Sequence, residues 1–285
     1  MTEPTVLPGC YRHPDRATGI RCTRCERPIC TECMIAAPVG FQCPECVAGA
    51  AAQTRQATTI AGGALIGRPM VTYTLIGINL AVFLVQFTVG INAVAGDYGM
   101  WPVGIAVGGE WWRLVTAAFL HGSFLHIAFN MYVLFALGPT LERILGHSRY
   151  LILYVLAAIG GGVASYVFSD MRTVSVGASG AIFGLMGALV VAGRRLRYDV
   201  TQVLVLLGIN VVIGFIASGV DWRAHLGGLV TGALVAAIMV LPSPRHRMAV
   251  QVGGILALLG VMAVLVMWRT AQIQDVLAPL GAFTI

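Results

Sequence analysis

Seven apolar segments decide what this chain can become. They run roughly over residues 70–90, 124–141, 149–168, 178–193, 201–217, 223–241 and 249–268. Each approaches the ~20 residues that a helix needs to cross a ~30 Å hydrocarbon core, and the fourth and fifth are the shortest. Lipid satisfies no backbone polar group, so repeated segments of this length resolve into spanning helices. Composition agrees: 58% of the 285 residues are hydrophobic and 11% charged, against ~25% charged in a soluble domain. An ordinary soluble enzyme is excluded, and so is a disordered chain, which would show the opposite balance. The expectation is an all-α polytopic membrane protein.

Charge placement predicts the orientation. All 18 basic residues are Arg, so chemistry that needs a lysine is absent. If the N-terminus is cytoplasmic, the cytoplasmic flanks carry eight arginines (68, 143, 149, 194, 195, 197, 245 and 247). The other side carries four (113, 172, 223 and 269). That excess has the sign of the positive-inside rule. The chain starts with polar, Cys-rich sequence rather than an apolar h-region, so no signal peptide is expected. The expected location is the cell membrane, with the N-terminus cytoplasmic and the C-terminus extracytoplasmic. Residues 91–123, broken by Gly and Pro and carrying Trp101, Trp111 and Trp112, read as a loop in the outer leaflet with short helical turns.

The cysteines form a second pattern. All seven precede residue 47. An odd number makes a complete disulfide framework impossible. With His13 they form four pairs of x2 spacing: Cys10/His13, Cys22/Cys25, Cys30/Cys33 and Cys43/Cys46. Such spacing lets two side chains bite one tetrahedral ion, and eight ligands make two closed Zn2+ sites of structural type. A segment this short buries too little apolar surface to fold without them. Cross-braced pairing, as in B-box and RING-like fingers, puts Cys10, His13, Cys30 and Cys33 on one ion and Cys22, Cys25, Cys43 and Cys46 on the other. Sequential pairing satisfies the same spacing. Five arginines in this module are partly offset by Asp15, Glu26, Glu32 and Glu45. Contact with a cytoplasmic protein or anionic lipid fits that balance, and no nucleic acid is expected.

Polar groups inside spans are costly and mark function. His121, His126 and Asn130 lie at the start of the second segment, Ser179 at the start of the fourth and His225 near the start of the sixth. The alternating topology puts all five at one depth near the outer face. A lone Ser in a span commonly bonds its own helix, and a lone His or Asn can be packing glue. Their neighbours argue for more. Gly177, Ala178 and Gly180 leave the Ser179 hydroxyl uncovered, and Gly228-x3-Gly232 offers a flat face matching Gly180-x3-Gly184. Two such faces in contact bring His225 toward Ser179. A Ser–His pair suggests nucleophilic attack on a carbonyl. Asn130, His126 and the Ser179 backbone N–H would be the donors for the developing oxyanion.

Glu110-Trp111-Trp112-Arg113, His121-x4-His126-x3-Asn130, Gly177-Ala178-Ser179-Gly180 and Ala224-His225-x2-Gly228-x3-Gly232 together resemble the rhomboid intramembrane serine proteases, over about residues 70–245. The resemblance implies a Ser179–His225 dyad, oxyanion contacts from His126, Asn130 and Ser179, and structural roles for Arg113 and Glu142. It departs at Phe183, where many bacterial rhomboids carry Tyr; the ring can stack on His225 but offers no hydroxyl.

The expected organisation is a B-box-like double zinc finger over 1–48, a linker over 49–69, a six-helix rhomboid core over 70–245, and a seventh transmembrane helix with its tail over 246–285. The expected activity is serine endopeptidase cleavage of transmembrane substrates near the outer face of the bilayer, with no cofactor in the chemistry. The alternative is an inactive rhomboid-like protein that binds membrane clients. A transporter would show mid-membrane charges or broken helices at repeat positions, and neither is seen.

Overall fold

The computed structural model describes residues 6–53, 57–216 and 219–280. Residues 1–5 of the expected finger, 54–56 of the expected linker, 217 at the expected end of the fifth segment, and 281–285 of the tail lie outside them. The chain forms two compact units, Met1–Ala57 and Thr58–Ile285.

In the first unit, β1 (Ile35–Ala36) pairs antiparallel with β2 (Phe41–Gln42), and α1 (Pro44–Gln53) follows. Isolated bridges join Gly9 to Ala17 and Arg21 to Pro28. The interior is Ile29 surrounded by Cys10, Cys22, Cys30, Cys33 and Cys43. Apolar burial this small is a weak source of stability on its own.

The second unit is helical: α2 (Met70–Val89), α3 (Ile91–Tyr98), α4 (Pro102–Ala106), α5 (Arg113–Thr116), α6 (Phe124–Leu145), α7 (His147–Phe168), α8 (Ser179–Leu196), α9 (Thr201–Ile216), α10 (Trp222–Val240) and α11 (Arg247–Leu277). Six of these (α2, α6, α7, α8, α10 and α11) are long and apolar enough to cross a membrane. The fifth expected span, α9, has 16 residues and so extends about 24 Å. The irregular stretch before α6 contains the three short helices α3 to α5, as its Gly and Pro content predicts.

Three helices outrun their expected ends, α8 by one turn to Leu196. α6 continues to Leu145 through Pro139. Neighbours fill the space there: a Cβ on Gly138 would meet Tyr150 Oη and Thr72. Packing of this kind is what allows Gly and Pro inside spanning helices. α11 continues past residue 268 because its last turns find partners. Arg269 donates to the Ser169 carbonyl (3.1 Å), Thr270 Oγ1 meets Tyr166 Oη (2.8 Å), and Gln274 donates to the Ala106 carbonyl (2.8 Å).

The expected linker is more structured than its composition predicts. α1 occupies it as far as Gln53. Residues 58–64 then form a turn docked on the helices. Thr59 Oγ1 accepts from the Gly63 N–H (2.9 Å) and donates to the Leu145 carbonyl (3.3 Å). Ala61 is fully buried, and its carbonyl accepts from Gln251 (3.0 Å). A missing apolar stripe is a poor guide here because this turn docks through hydrogen bonds at the end of α6.

The core sits where α7, α8 and α10 meet. Gly180 through Ala188 is buried without a break on α8. On α10, a Cβ at Gly228 or Gly232 would overlap the backbone carbonyl of Gly180 or Gly184. The two small-residue faces read from the sequence therefore touch main chain to main chain.

Candidate active site

Ser179 is the first residue of α8, so its backbone N–H points out of the helix start without an intrahelical acceptor. His225 lies one turn into α10, which Asp221 caps by accepting from the backbone N–H groups of Arg223 and Ala224. The glycine seam fixes these helix starts side by side, and His225 Nε2 lies 2.8 Å from Ser179 Oγ. The Phe183 ring, one turn along α8, stacks on the imidazole with centroids 4.2 Å apart and planes 15° apart.

Asn130 and His126 arrive from one face of α6, and both line the cavity of about 230 Å3 that holds Ser179 and His225. Asn130 is buried, and its Nδ2 has no hydrogen-bond partner among the described residues. A buried unpaired donor costs free energy, so this one is poised for something that enters the cavity. His126 Nδ1 accepts from the Gly122 N–H (3.4 Å), which puts the ring proton on Nε2. That nitrogen faces Gly177: a Cβ there would sit 2.8 Å from His126 Nε2 and 3.4 Å from Ser179 Oγ. Gly177 also has φ +141°. Both conformation and space demand glycine at this point.

His121 differs from the other four polar groups. It does not line the cavity. It is fully buried behind His126, ring centroids 5.1 Å apart, and among the described residues neither ring nitrogen makes a well-formed hydrogen bond. Its backbone is clamped by Gln86, whose Oε1 accepts from the His121 N–H (2.9 Å) while Nε2 donates to the His121 carbonyl (3.3 Å). Burial, with His126 beside it, pushes its pKa down to about 3. The expected convergence of five groups is thus a convergence of four.

Arg113 and Glu142 lie away from the cavity and organise backbone. Arg113 is buried; its Nε donates to Glu110 (2.5 Å) and its Nη1 to the carbonyls of Gly96 and Gly99 (2.8 and 2.9 Å). One guanidinium thereby ties together the segment around α3 to α5. Glu142 is fully buried and caps the start of α2, accepting from the N–H groups of Val71 and Thr72 and from Thr72 Oγ1, while His147 Nδ1 lies 2.5 Å from it.

Further polar residues, Ser165 and Asn210 buried and Asp221 half-buried, join the site that the sequence pattern does not single out. Ser165, Asn210 and Asp221 line the same cavity. Ser165 donates to the Asp221 carboxylate and so links α7 to the cap of α10. Asn210 donates to the carbonyl of Leu206 (2.8 Å). A lone amide in an otherwise apolar segment, and an Asp immediately before one, are the signals that could have found them. Among the described residues the ring of His225 has Ser179 as its hydrogen-bond partner.

The family model for the Rhomboid domain matches residues 108–242. "Putative rhomboid protease YdcA" of Bacillus subtilis is 39% identical over 143 residues, covering 48% of this chain and 72% of that protein. The chain belongs to the rhomboid family. "Rhomboid protease GluP" of Bacillus subtilis is 38% identical over 187 residues, 62% of this chain and 36% of the relative. "Rhomboid protease AarA" of Providencia stuartii is 28% identical over 218 residues, 65% of this chain and 77% of the relative. The chain therefore spans little more than a third of GluP but about three quarters of the other two. This rhomboid is a multi-pass membrane protein.

The first unit carries two separate clusters, Cys10–His13–Cys30–Cys33 and Cys22–Cys25–Cys43–Cys46, each with its ligand atoms within 4.8 Å of one another. Of the two pairings the spacing allows, the folded chain brings together the cross-braced one. Four soft donors per cluster, mostly buried, suit a tetrahedral metal ion and leave no open position on it. Salt bridges Arg16–Glu32 and Arg27–Glu45, both 2.6 Å, offset part of the basic charge nearby.

Proposed function

We propose that this rhomboid is an intramembrane serine endopeptidase acting on transmembrane segments through a Ser179–His225 dyad. The observation that carries the reading is the 2.8 Å approach of His225 Nε2 to Ser179 Oγ beside the unpartnered Asn130 amide. His225 Nε2 takes the hydroxyl proton as Oγ bonds to the scissile carbonyl carbon. The negative charge that develops on the carbonyl oxygen meets Asn130 Nδ2–H, His126 Nε2–H and the Ser179 N–H. Collapse breaks the C–N bond, and the imidazolium gives its proton to the leaving amine. Water, deprotonated by the same imidazole, then attacks the acyl-enzyme and restores Ser179. A helical peptide bond is shielded by its own hydrogen bonds, so the substrate must unwind to reach Oγ.

In the same reading the two Cys/His clusters hold Zn2+ as structural ions, and the N-terminal unit is a double zinc finger. It lies on the cytoplasmic side and contacts a protein or anionic lipid there. The core begins at Thr58 rather than residue 70, because the docked turn belongs with the helices. The excess of arginines at one end of the spans supports a cytoplasmic N-terminus and an extracytoplasmic C-terminus.

The decisive experiment incubates purified protein with a single-span reporter, with Ser179→Ala as control. Cleavage by the wild type alone supports the proposal, and equal cleavage by both removes it. Metal analysis should give two zinc ions per full-length chain, and a chelator should unfold the finger without stopping cleavage by a chain beginning at residue 57. One ion or none would refute the two-site reading.

A further inference from the structure

At the end of the helical unit opposite the Ser179 cavity, two arginines share one small turn. The docked segment 58–64 places Gly62 and Gly63 between the starts of α7 and α11. A Cβ on Gly62, where φ is +81°, would lie 2.7 Å from Arg247 Nη1, and one on Gly63 would lie 3.3 Å from Arg149 Nη1. Both guanidinium groups thus close over the same dipeptide. Arg149 is aimed by Gln251, whose Oε1 accepts from Arg149 Nε (3.3 Å) while its Nε2 holds the carbonyls of Ala61 and Met239 (3.0 and 2.9 Å). Arg247 Nε is buried and has no hydrogen-bond partner among the described residues.

Two like charges held together over apolar helix ends call for a counter-ion. The protein supplies none among the described residues. No carboxylate pairs with Arg149 or Arg247. Glu142, at the end of α6, is committed to Val71, Thr72 and His147. Neither α7 nor α11 has a side-chain cap at its start, so unpaired N–H groups and the positive ends of two helix dipoles add to the field. Both helices begin their apolar runs here, which sets the site at the level of lipid headgroups.

We propose that Arg149 and Arg247, closed over Gly62–Gly63, bind the phosphate of an anionic phospholipid headgroup. The planar forks present paired donors to phosphate oxygens, and the acyl chains run along α7 and α11. The bound lipid fastens the turn 58–64 to the helix ends, independently of any proteolytic activity.

The test uses the full chain in a neutral detergent, with melting followed while lipid is added. Phosphatidylglycerol should raise the melting temperature by about 3–5 °C near saturation, and phosphatidylcholine should not. The variant R149Q/R247Q should lose most of that shift, whereas R194Q/R195Q, exposed arginines at the same end, should keep it. A full shift in R149Q/R247Q overturns the proposal. An equal shift with millimolar inorganic phosphate also overturns it, by assigning the pair to a free anion. If the double variant does not fold, native mass spectrometry of R247Q decides. Retention of phosphatidylglycerol relative to phosphatidylcholine should fall about tenfold, and unchanged retention refutes the site.

Discussion

α8 and α9 are consecutive apolar helices with opposite relations to the rest of the protein. α8 carries glycines at 180, 184 and 187; a Cβ at Gly184 or Gly187 would clash with α7 or α10, and one at Gly180 would sit tightly, 3.3 Å from the Ala224 carbonyl oxygen. α9 is the more apolar in sequence, with no charged residue where α8 ends on Arg194 and Arg195. Yet Leu204, Val205, Ile209, Val212 and Ile213 of α9 are exposed. In a membrane, apolar character does not drive helices together, because lipid is as apolar as leucine. Close packing comes from small residues that let main chains touch. The Ser179–His225 pair is built on the small-residue seam, whereas α9, which contributes Asn210 and Ile213 to the cavity, is a wall facing lipid on its other side.

The largest effects belong to the seam and the pair it holds. Ser179→Ala or His225→Ala should reduce cleavage at least about 10^3-fold with little change in melting temperature; a reporter assay beside a thermal melt checks both. Gly232→Val puts a branched side chain into the Gly184 backbone and should cost about 3 kcal/mol or more, lowering the melting temperature and the yield of folded protein. Asn130→Ala should cost roughly 2.7 kcal/mol, about 100-fold in kcat, with KM nearly unchanged. Full turnover in that variant would return Asn130 to a packing role.

Acid probes the same packed side of the molecule. His121 has a folded pKa of about 3, below the unfolded value of about 6.5. Between those values the unfolded chain binds more protons, so stability falls as pH drops through that window and is fully present above it. His121→Asn should flatten this acid limb in a pH series of melts. The smallest effects belong to α9. Val205→Ala should change stability by no more than about 0.5 kcal/mol, and α9 amides should exchange faster than those of α10. Equal protection of the two helices would erase the distinction.

The spans, the glycine seam and the Ser179, His225 and Asn130 grouping are legible in the sequence because each rests on a local pattern: apolar length, G-x3-G spacing, or a polar residue where lipid makes it costly. The cross-braced cysteines are half legible. Spacing shows the pairs, but which pairs come together depends on how loops return. The docked turn at 58–64 is not legible, since its hold is a few hydrogen bonds to Leu145 and Gln251, distant in sequence. His121 reads as part of the cavity because it sits five residues before His126; the turn ahead of α6 instead directs it inward. Ser165 stays silent in the sequence, and Asp221 reads only as a helix start, because their link arises only when α7 and α10 are adjacent.

Glu142 has a consequence for how the protein is made. The first N–H groups of α2 are satisfied by a carboxylate 70 and 71 residues further along the chain. While the chain is being synthesised, α2 enters the bilayer before its cap exists. The cap arrives only when α6 has come down beside it, so correct pairing of the first two spans is registered in the hydrogen bonding of the earlier one. A chain released before residue 142, or one carrying Glu142→Ala, leaves the start of α2 with exposed donors at the membrane edge.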